Sequence, residues 1–292
     1  MIDLHTHSTV SDGSDPPERI AELAAQAGCS AVALTDHDSL AGLAAARRAA
    51  EAHGVALVPG CEVSCRKPPA PGGPGGSGRV SGSVHVLVYF VDAGDGPLQD
   101  ELVRLRGDRA RRNEELADLL VRLGTGVTYE DAVAEAGGKP EGLGRPHFAR
   151  ALVRAGAAED VDDAFDRWLA DGRPAYVPKA RLDPADVARL AHASGGVAVL
   201  AHPFSLGLDR PELERVVRDL AAEGLDGLEA VYGRYTRDER AWLRGLAART
   251  GLVATGGSDY HGTFKPDLHV GTGLGDLSVP DDLLDALAAR RG

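Results

Sequence analysis

A parallel α/β protein interrupted by a helical insertion is the fold class this sequence predicts. Short apolar runs alternate with stretches of helical period, the apolar runs end in polar clusters that contain histidine, and the alternation lapses from residue 98 to residue 177, where only helical patterns occur. Ligand sites of parallel α/β folds collect at the carboxyl ends of the strands. The histidine clusters are therefore where a site is expected.

The chain of 292 residues is long enough for one large α/β domain, or for a core domain with a smaller one inserted. Its 43% apolar and 26% charged residues are ordinary for a globular protein, and aromatic residues are scarce at 4%. A net charge of −12 argues against a broad surface for long nucleic acid, but it allows a local basic pocket that grips one or two phosphates. No apolar run of membrane-spanning length and no basic-then-apolar leader is found, so a cytoplasmic protein without a membrane partner is expected. Cys29, Cys61 and Cys65 are too few and too unevenly spaced for a disulfide framework or a thiolate zinc site, and read as free thiols.

Ile2 to Leu4 reads as a short buried strand. Side chains in extended chain alternate, so His5 and His7 share one face and can grip a metal, and the turn Ser11-Asp12-Gly13-Ser14 can fold the Asp12 carboxylate back toward them. Pro16–Ala27 is a helix stopped by Gly28, and Ala31–Leu34 is a strand ending in Thr35-Asp36-His37-Asp38. Leu40–His53 is a helix stopped by Gly54, and Val55–Val58 is a strand followed by Gly60-Cys61-Glu62-Val63. Residues 66–83 are rich in Gly, Pro and Ser and predict a mobile surface loop. Ser83–Phe90 is an apolar strand whose one histidine, His85, joins the existing cluster as a ligand.

Helical patterns then cover 98–123, 129–136, 145–155 and 162–169. Gly144-Arg145-Pro146-His147 opens one of these helices with unpaired N–H groups and a guanidinium fork, an arrangement suited to phosphate, and Lys179 and Arg181 add positive charge beyond it. The alternation resumes with a helix at 183–194, a strand at 196–200 ending in Ala201-His202-Pro203, a helix at 211–223 and a strand at 224–232. A helix at 237–250 and a strand at 252–255 lead into Gly256-Gly257-Ser258-Asp259-Tyr260-His261, where Asp259 and His261 are again metal-ligand types at a strand end. A final helix is expected near 280–289.

Taken together, His5-Thr6-His7 with Asp12, Thr35-Asp36-His37, Gly60-Cys61-Glu62, His85, Ala201-His202-Pro203 and Gly257-Ser258-Asp259-Tyr260-His261 resemble the motifs of the polymerase and histidinol phosphatase (PHP) family of metal-dependent phosphoesterases. The resemblance implies a distorted (β/α)7 TIM-like barrel, formed by residues 1–97 and 178–292, with 98–177 as an inserted helical subdomain capping the substrate. It also implies two or three divalent ions: His5, His7 and Asp259 on one, Glu62 bridging, His85 and His202 on a second, and Asp12, His37 and His261 on a third. Imidazole with carboxylate suits Mn, Fe or Zn.

The insertion carrying Arg145 and His147 looks like that of the stand-alone nucleotide phosphoesterases, which implies a phosphomonoesterase acting on AMP or a nucleoside 3′,5′-bisphosphate through a metal-activated hydroxide. The rival readings are a phosphodiesterase on a cyclic phosphate or on short RNA 5′ ends, a histidinol-phosphate phosphatase, and a non-catalytic metal-binding module. Asp259, His202 and His261 are the candidates to protonate the leaving alkoxide. The chain departs from the subgroup after Leu228-Glu229, where Tyr232-Gly233-Arg234-Tyr235 stands in place of an expected histidine, and Tyr232, Arg234 and Tyr235 become candidates for the pocket wall.

Overall fold

The computed structural model describes residues 1–68, 82–94 and 96–292, with the side chain of Glu141 excepted. Residues 69–81 of the expected loop lie outside the described residues. The chain divides into two compact units, Met1–Leu102 with Arg181–Gly292 and Val103–Ala180.

In the first unit β1 (Ile2–Asp3), β2 (Ala31–Leu34), β3 (Ala56–Cys65), β4 (Val84–Tyr89), β5 (Val197–Leu200), β6 (Gly227–Tyr232) and β7 (Val253–Gly257) form one seven-stranded sheet in sequence order. The ends of the sheet meet: the Leu4 N–H donates to Gly256 O at 3.1 Å and the Asp259 N–H to His5 O at 2.8 Å, giving a distorted TIM-like barrel. Strands β2, β5 and β6 are buried at every position, as expected where both faces of a sheet are covered, which is why β2 and β5 read as unbroken apolar runs rather than as alternation.

Two features depart from a purely parallel barrel. Strand β4 runs antiparallel to both neighbours, pairing Cys65 with Val84 on one side and Tyr89 with Val197 on the other. Strand β3 extends to Cys65, well past the expected end at Val58, because its first half pairs in parallel with β2 and its second half in antiparallel with β4. Glu62 therefore lies within a strand instead of on the loop after one.

Helices α1 (Pro17–Gln26) and α2 (Leu43–His53) follow β1 and β2, α3 (Pro97–Arg122) follows β4, and α7 (Pro184–Ala193), α8 (Arg210–Ala222), α9 (Arg237–Thr250) and α10 (Asp282–Ala288) complete the first unit's series. Local signals set their ends. Asp209 with Glu212 and Thr236 with Glu239 form capping boxes at the starts of α8 and α9, while Gly54 and Gly251 end α2 and α9 in the left-handed conformation. The second unit holds most of α3 together with α4 (Tyr129–Glu135), α5 (Arg145–Arg154) and α6 (Val161–Ala164), around a hydrophobic core of its own that includes Leu116, Leu120, Leu143, Phe148, Leu152 and Leu169. The expected helix at 162–169 is divided, α6 passing into a π turn over Phe165–Leu169. No helix among the described residues is long and apolar enough to cross a membrane.

Close approach of β7 to the first strand requires glycine. A Cβ on Gly257 would lie 2.4 Å from His5 N, 2.5 Å from His5 Cβ and 2.9 Å from Asp3 Oδ1. Gly257→Ala is accordingly expected to cost about 1–3 kcal/mol of stability by overpacking this seam, read as a lower denaturant midpoint at unchanged slope. A midpoint equal to that of the wild type would show that the seam has slack.

Candidate metal centre

Backbone pairing continues beyond the strands and carries the candidate ligands to one end of the barrel. Thr6 bridges to Tyr260 and His37 to Glu62, the His7 N–H donates to Tyr260 O at 2.9 Å, and the Asp38 N–H donates to Glu62 O at 2.9 Å. Reversal of β4 places His85, near the start of its strand, at the end where the parallel strands finish; it pairs there with Ser64. His202 (φ 25°) and Asp259 (φ 56°) stand just past β5 and β7 with left-handed backbone, a cost that a functional constraint commonly accounts for.

Three overlapping groups of potential ligand atoms result among the described residues: His7, Asp12, His37 and His261; His5, His7 and Asp259; and His37, Glu62 and His85. His202 joins through Glu62, its Nε2 lying 3.0 Å from Glu62 Oε1, while His85 Nδ1 lies 2.8 Å from the same oxygen. The side chains of His5 and His7 are fully buried at the floor, whereas Asp12, His37 and His85 retain 36%, 17% and 19% exposure and form the mouth.

The donor set fits divalent cations. His5 Nε2 and His7 Nε2 are 3.1 Å apart and lie 3.2 and 3.1 Å from Glu62 Oε2. The buried His37 Nδ1, 3.4 Å from Glu62 Oε2, has no hydrogen-bond partner among the described residues. Burial pushes His7 and His85 down to about 4, which keeps their lone pairs available at neutral pH. Burial also opposes charge on Glu62, but His37, His85 and His5 outweigh it and hold the carboxyl well below the usual range. His5 differs: although burial opposes its protonation, Glu229, Glu62 and Asp259 hold it well above the ordinary imidazole range.

Several histidines are tied at Nδ1 so that Nε2 is directed inward, the arrangement that orients imidazole ligands. His5 Nδ1 pairs with Glu229 Oε1 at 2.9 Å, His202 Nδ1 with Ser205 Oγ at 2.7 Å, and His261 Nδ1 with the Asp259 carbonyl at 2.9 Å. Asp36 accepts from the Ser8 N–H at 2.8 Å, Ser8 Oγ at 2.7 Å and Ser11 Oγ at 2.6 Å, which fixes the loop bearing Asp12. Asp259 has two different oxygens. Oδ1 faces His5, His7 and His261 at 3.4–3.5 Å, and Oδ2 accepts from the Tyr232 hydroxyl at 2.7 Å and the Lys265 ammonium at 2.5 Å.

The side chains expected at the pocket wall have partners within the protein. Tyr232 is buried with its hydroxyl committed to Asp259, Arg234 forms a two-pronged ion pair with Asp267, and the Tyr235 hydroxyl accepts from the Phe204 N–H at 2.9 Å. In the second unit the Gly144 N–H at the start of α5 donates to His147 Nδ1 at 3.0 Å, so this N–H is not open to an anion as expected. Arg145 donates to Val177 O at 2.7 Å and lies over the Tyr176 ring, and Lys179 is half-buried. Glu229, Ser205, Asp36 and Lys265 were not singled out from the sequence. Glu229 alone carried a signal, being a carboxylate inside the apolar strand Gly227–Tyr232.

A closed α/β barrel with clustered imidazoles and carboxylates at the carboxyl end of its strands defines a metal-dependent hydrolase. The chain belongs to the PHP family: the PHP domain model matches residues 3–122, and similarity to family relatives extends over nearly the whole length. A 3′,5′-nucleoside bisphosphate phosphatase of Chromobacterium violaceum is 33% identical over 92% of this chain and 90% of that protein. A 5′-3′ exoribonuclease of Haemophilus influenzae is 32% identical over 89% of each chain. A phosphoribosyl 1,2-cyclic phosphate 1,2-diphosphodiesterase of Eggerthella lenta is 37% identical over 92% of this chain and 97% of that one. Among solved structures, a metal-dependent phosphoesterase of Bifidobacterium adolescentis matches with a TM-score of 0.80 at 30% identity, covering 100% of this chain and 96% of that one. The protein is a hydrolase of phosphoric ester bonds.

A carboxylate accepts on both oxygens, and Glu229 does so, taking the His202 N–H on Oε2 at 2.6 Å while Oε1 faces His5. An amide has one acceptor. Glu229→Gln is therefore expected to weaken divalent-ion binding by about 10–100-fold while the protein stays folded, as measured by metal titration. Wild-type affinity would show that Glu229 does not orient His5.

Proposed function

We propose that this protein hydrolyses the phosphomonoester of a nucleotide or nucleotide-like small molecule. The observation that carries the reading is the convergence of His5, His7, Asp12, His37, Glu62, His85, His202, Asp259 and His261 at the mouth of one barrel. Two or three divalent ions would be held there: His5, His7 and Asp259 around one, and Asp12, His37 and His261 with His7 around another. Glu62, His37, His85 and His202 would make the third position. Manganese, iron and zinc all suit this nitrogen and oxygen set. Such ions supply Lewis acidity that neutralises phosphate oxygens and lowers the pKa of water.

The chain's own residues do the rest. The half-open rim of Asp12, His37 and His85 admits a phosphate, while the buried His5, His7 and Glu62 keep the floor fixed. Asp259 accepts donors on both oxygens, so it holds negative charge and is a poor acid. The proton for the leaving alkoxide then falls to Nε2 of His202 or His261. The bisphosphate phosphatase relative supports a nucleotide monoester as substrate. A second reading, opening of a cyclic phosphodiester, is favoured by the 37% identity to the cyclic phosphate diesterase.

The deciding experiment loads the protein with manganese and follows products chromatographically from AMP, adenosine 3′,5′-bisphosphate, histidinol phosphate, a ribosyl 1,2-cyclic phosphate and a short 5′-phosphorylated RNA. Turnover of the monoesters above the diesters is expected. Turnover of the cyclic phosphate alone would establish the second reading, and no turnover of any of them by metal-loaded protein would sink both. Chelation with EDTA should abolish activity and added manganese restore it. Asp12→Ala and His202→Ala should each cut kcat at least about 100-fold in a folded protein. Unchanged kcat in both metal-site variants would remove the assignment.

A further inference from the structure

Lys265 approaches the metal centre from the loop that follows β7. Its backbone is held in place: the Lys265 N–H donates to Gly262 O at 3.2 Å, the Leu268 N–H donates to Lys265 O at 3.0 Å with Leu268 buried, and Pro266 restricts the residue before it. The flanking turns are fixed as well, Thr263 through its N–H to Ser14 Oγ at 2.9 Å and Asp267 through the two-pronged pair with Arg234. From this frame the ammonium reaches Asp259 Oδ2 at 2.5 Å, while the side chain keeps 31% exposure.

That contact is more than the support of Asp259 requires. The Tyr232 hydroxyl already donates to the same oxygen at 2.7 Å, from a buried phenol whose ionisation burial and Asp259 oppose. A neutral donor orients a ligand carboxylate without opposing the ion it binds. An ammonium does oppose it: across one carboxyl group it faces the position that His5, His7 and Asp259 Oδ1 surround, and like charges so close repel. A lysine here therefore costs metal affinity, and that cost is offset when negative charge arrives from outside the protein. An ammonium also has three N–H donors, and Asp259 is the single ion-pair or hydrogen-bond partner of this one among the described residues. The remaining donors stay on a half-buried group next to the centre.

We propose that Lys265 is a substrate contact that selects phosphomonoesters: its remaining N–H groups take a non-bridging oxygen of the phosphoryl group at the metal centre, and its charge balances the second negative charge that a monoester has and a diester lacks. The inference rests on the phosphoesterase reading above. A monoester carries about −1.5 to −2 charges near neutral pH, whereas a diester, with one ionisable oxygen fewer, carries a single charge. Lysine binds phosphate as a point charge rather than as a planar fork, so it responds to how much charge a substrate brings. A lysine that only supported Asp259 would act on the metal in the opposite sense, since its loss would loosen a ligand instead of removing a repelling charge. Metal affinity therefore separates the two roles.

The test compares the full-length wild type with Lys265→Met, which removes the charge, and Lys265→Arg, which keeps it. Each protein is titrated with manganese, and the manganese-saturated proteins are titrated calorimetrically with inorganic phosphate. Turnover is followed on p-nitrophenyl phosphate and its monomethyl ester, which share a leaving group and differ by one charge. Lys265→Met should bind manganese at least as tightly as the wild type and bind phosphate about 10–100-fold more weakly. Its kcat/KM should fall at least about 10-fold further on the monoester than on the diester. Lys265→Arg should bind phosphate more tightly than Lys265→Met. Weaker manganese binding by Lys265→Met with unchanged phosphate affinity at saturating manganese would make the lysine a support for Asp259 alone and overturn the proposal. An equal loss on the two esters, or no recovery of phosphate binding with arginine, would overturn it too. If the wild type hydrolyses neither ester, the phosphoesterase reading fails instead, and the phosphate titration still decides whether Lys265 takes a phosphoryl group.

Discussion

The site depends on closure of the barrel where its first strand meets its last, and a single buried carboxylate holds that seam. Asp3 is fully buried and accepts from the His5 N–H at 3.2 Å, the Ser258 N–H at 2.9 Å and the Gly271 N–H at 2.7 Å, tying together segments more than 250 residues apart in sequence. Burial raises its pKa even though these hydrogen bonds act in the other direction. On one side of the seam the chain supplies His5 and His7, and on the other Asp259 and His261. Without closure those four side chains would belong to opposite edges of an open sheet. A fully buried Tyr89 on β4 adds a brace, donating to Leu4 O at 2.7 Å.

Reversal of β4 is the second constraint. In a uniformly parallel barrel a ligand near the beginning of a strand would point to the wrong end. Because β4 runs the other way, His85 arrives beside Glu62 and His202, and β3 is drawn out by antiparallel pairing until Glu62 lies within it. A strand position suits this residue. Glu62 faces five imidazoles at 2.8–3.4 Å, those of His5, His7, His37, His85 and His202, and a carboxylate on a loop could not hold so many distances at once.

Legibility followed the physics of each feature. Histidines and carboxylates at the ends of apolar runs were visible because strand ends are marked by composition, and their residue types suit metal. Helix ends were visible through glycine stops and capping residues such as Asp209 and Thr236. Strand direction was not, since an apolar run such as Val84–Tyr89 reads the same either way, and the extension of β3 depends on pairing with a separate strand, from Gly60 with Tyr89 to Cys65 with Val84. The supporting shell was also hidden. Ser205, Asp36 and Lys265 are ordinary loop residues until folding sets them against His202, the Asp12 loop and Asp259. The partners of Tyr232 and Arg234 were hidden for a related reason: aromatic and basic residues near a site suggest ligand contact, and only folding sets the hydroxyl against Asp259 and the guanidinium against Asp267.

Charge placement resolves the tension between an acidic protein and an anionic substrate. Much of the acidity that counts at the site has partners: the buried Asp3 and Asp36 accept backbone and hydroxyl donors, the buried Glu229 holds His5 and the His202 N–H, and the buried Glu62 and Asp259 and the half-exposed Asp12 face imidazoles. Cations placed among these last three would reverse the local sign, which is what matters to a phosphate within a Debye length of about 8–10 Å. Beyond that distance the surface decides. Net charge alone thus bears on long-range capture of extended nucleic acid, while short phosphate esters respond to the side chains immediately around the barrel mouth.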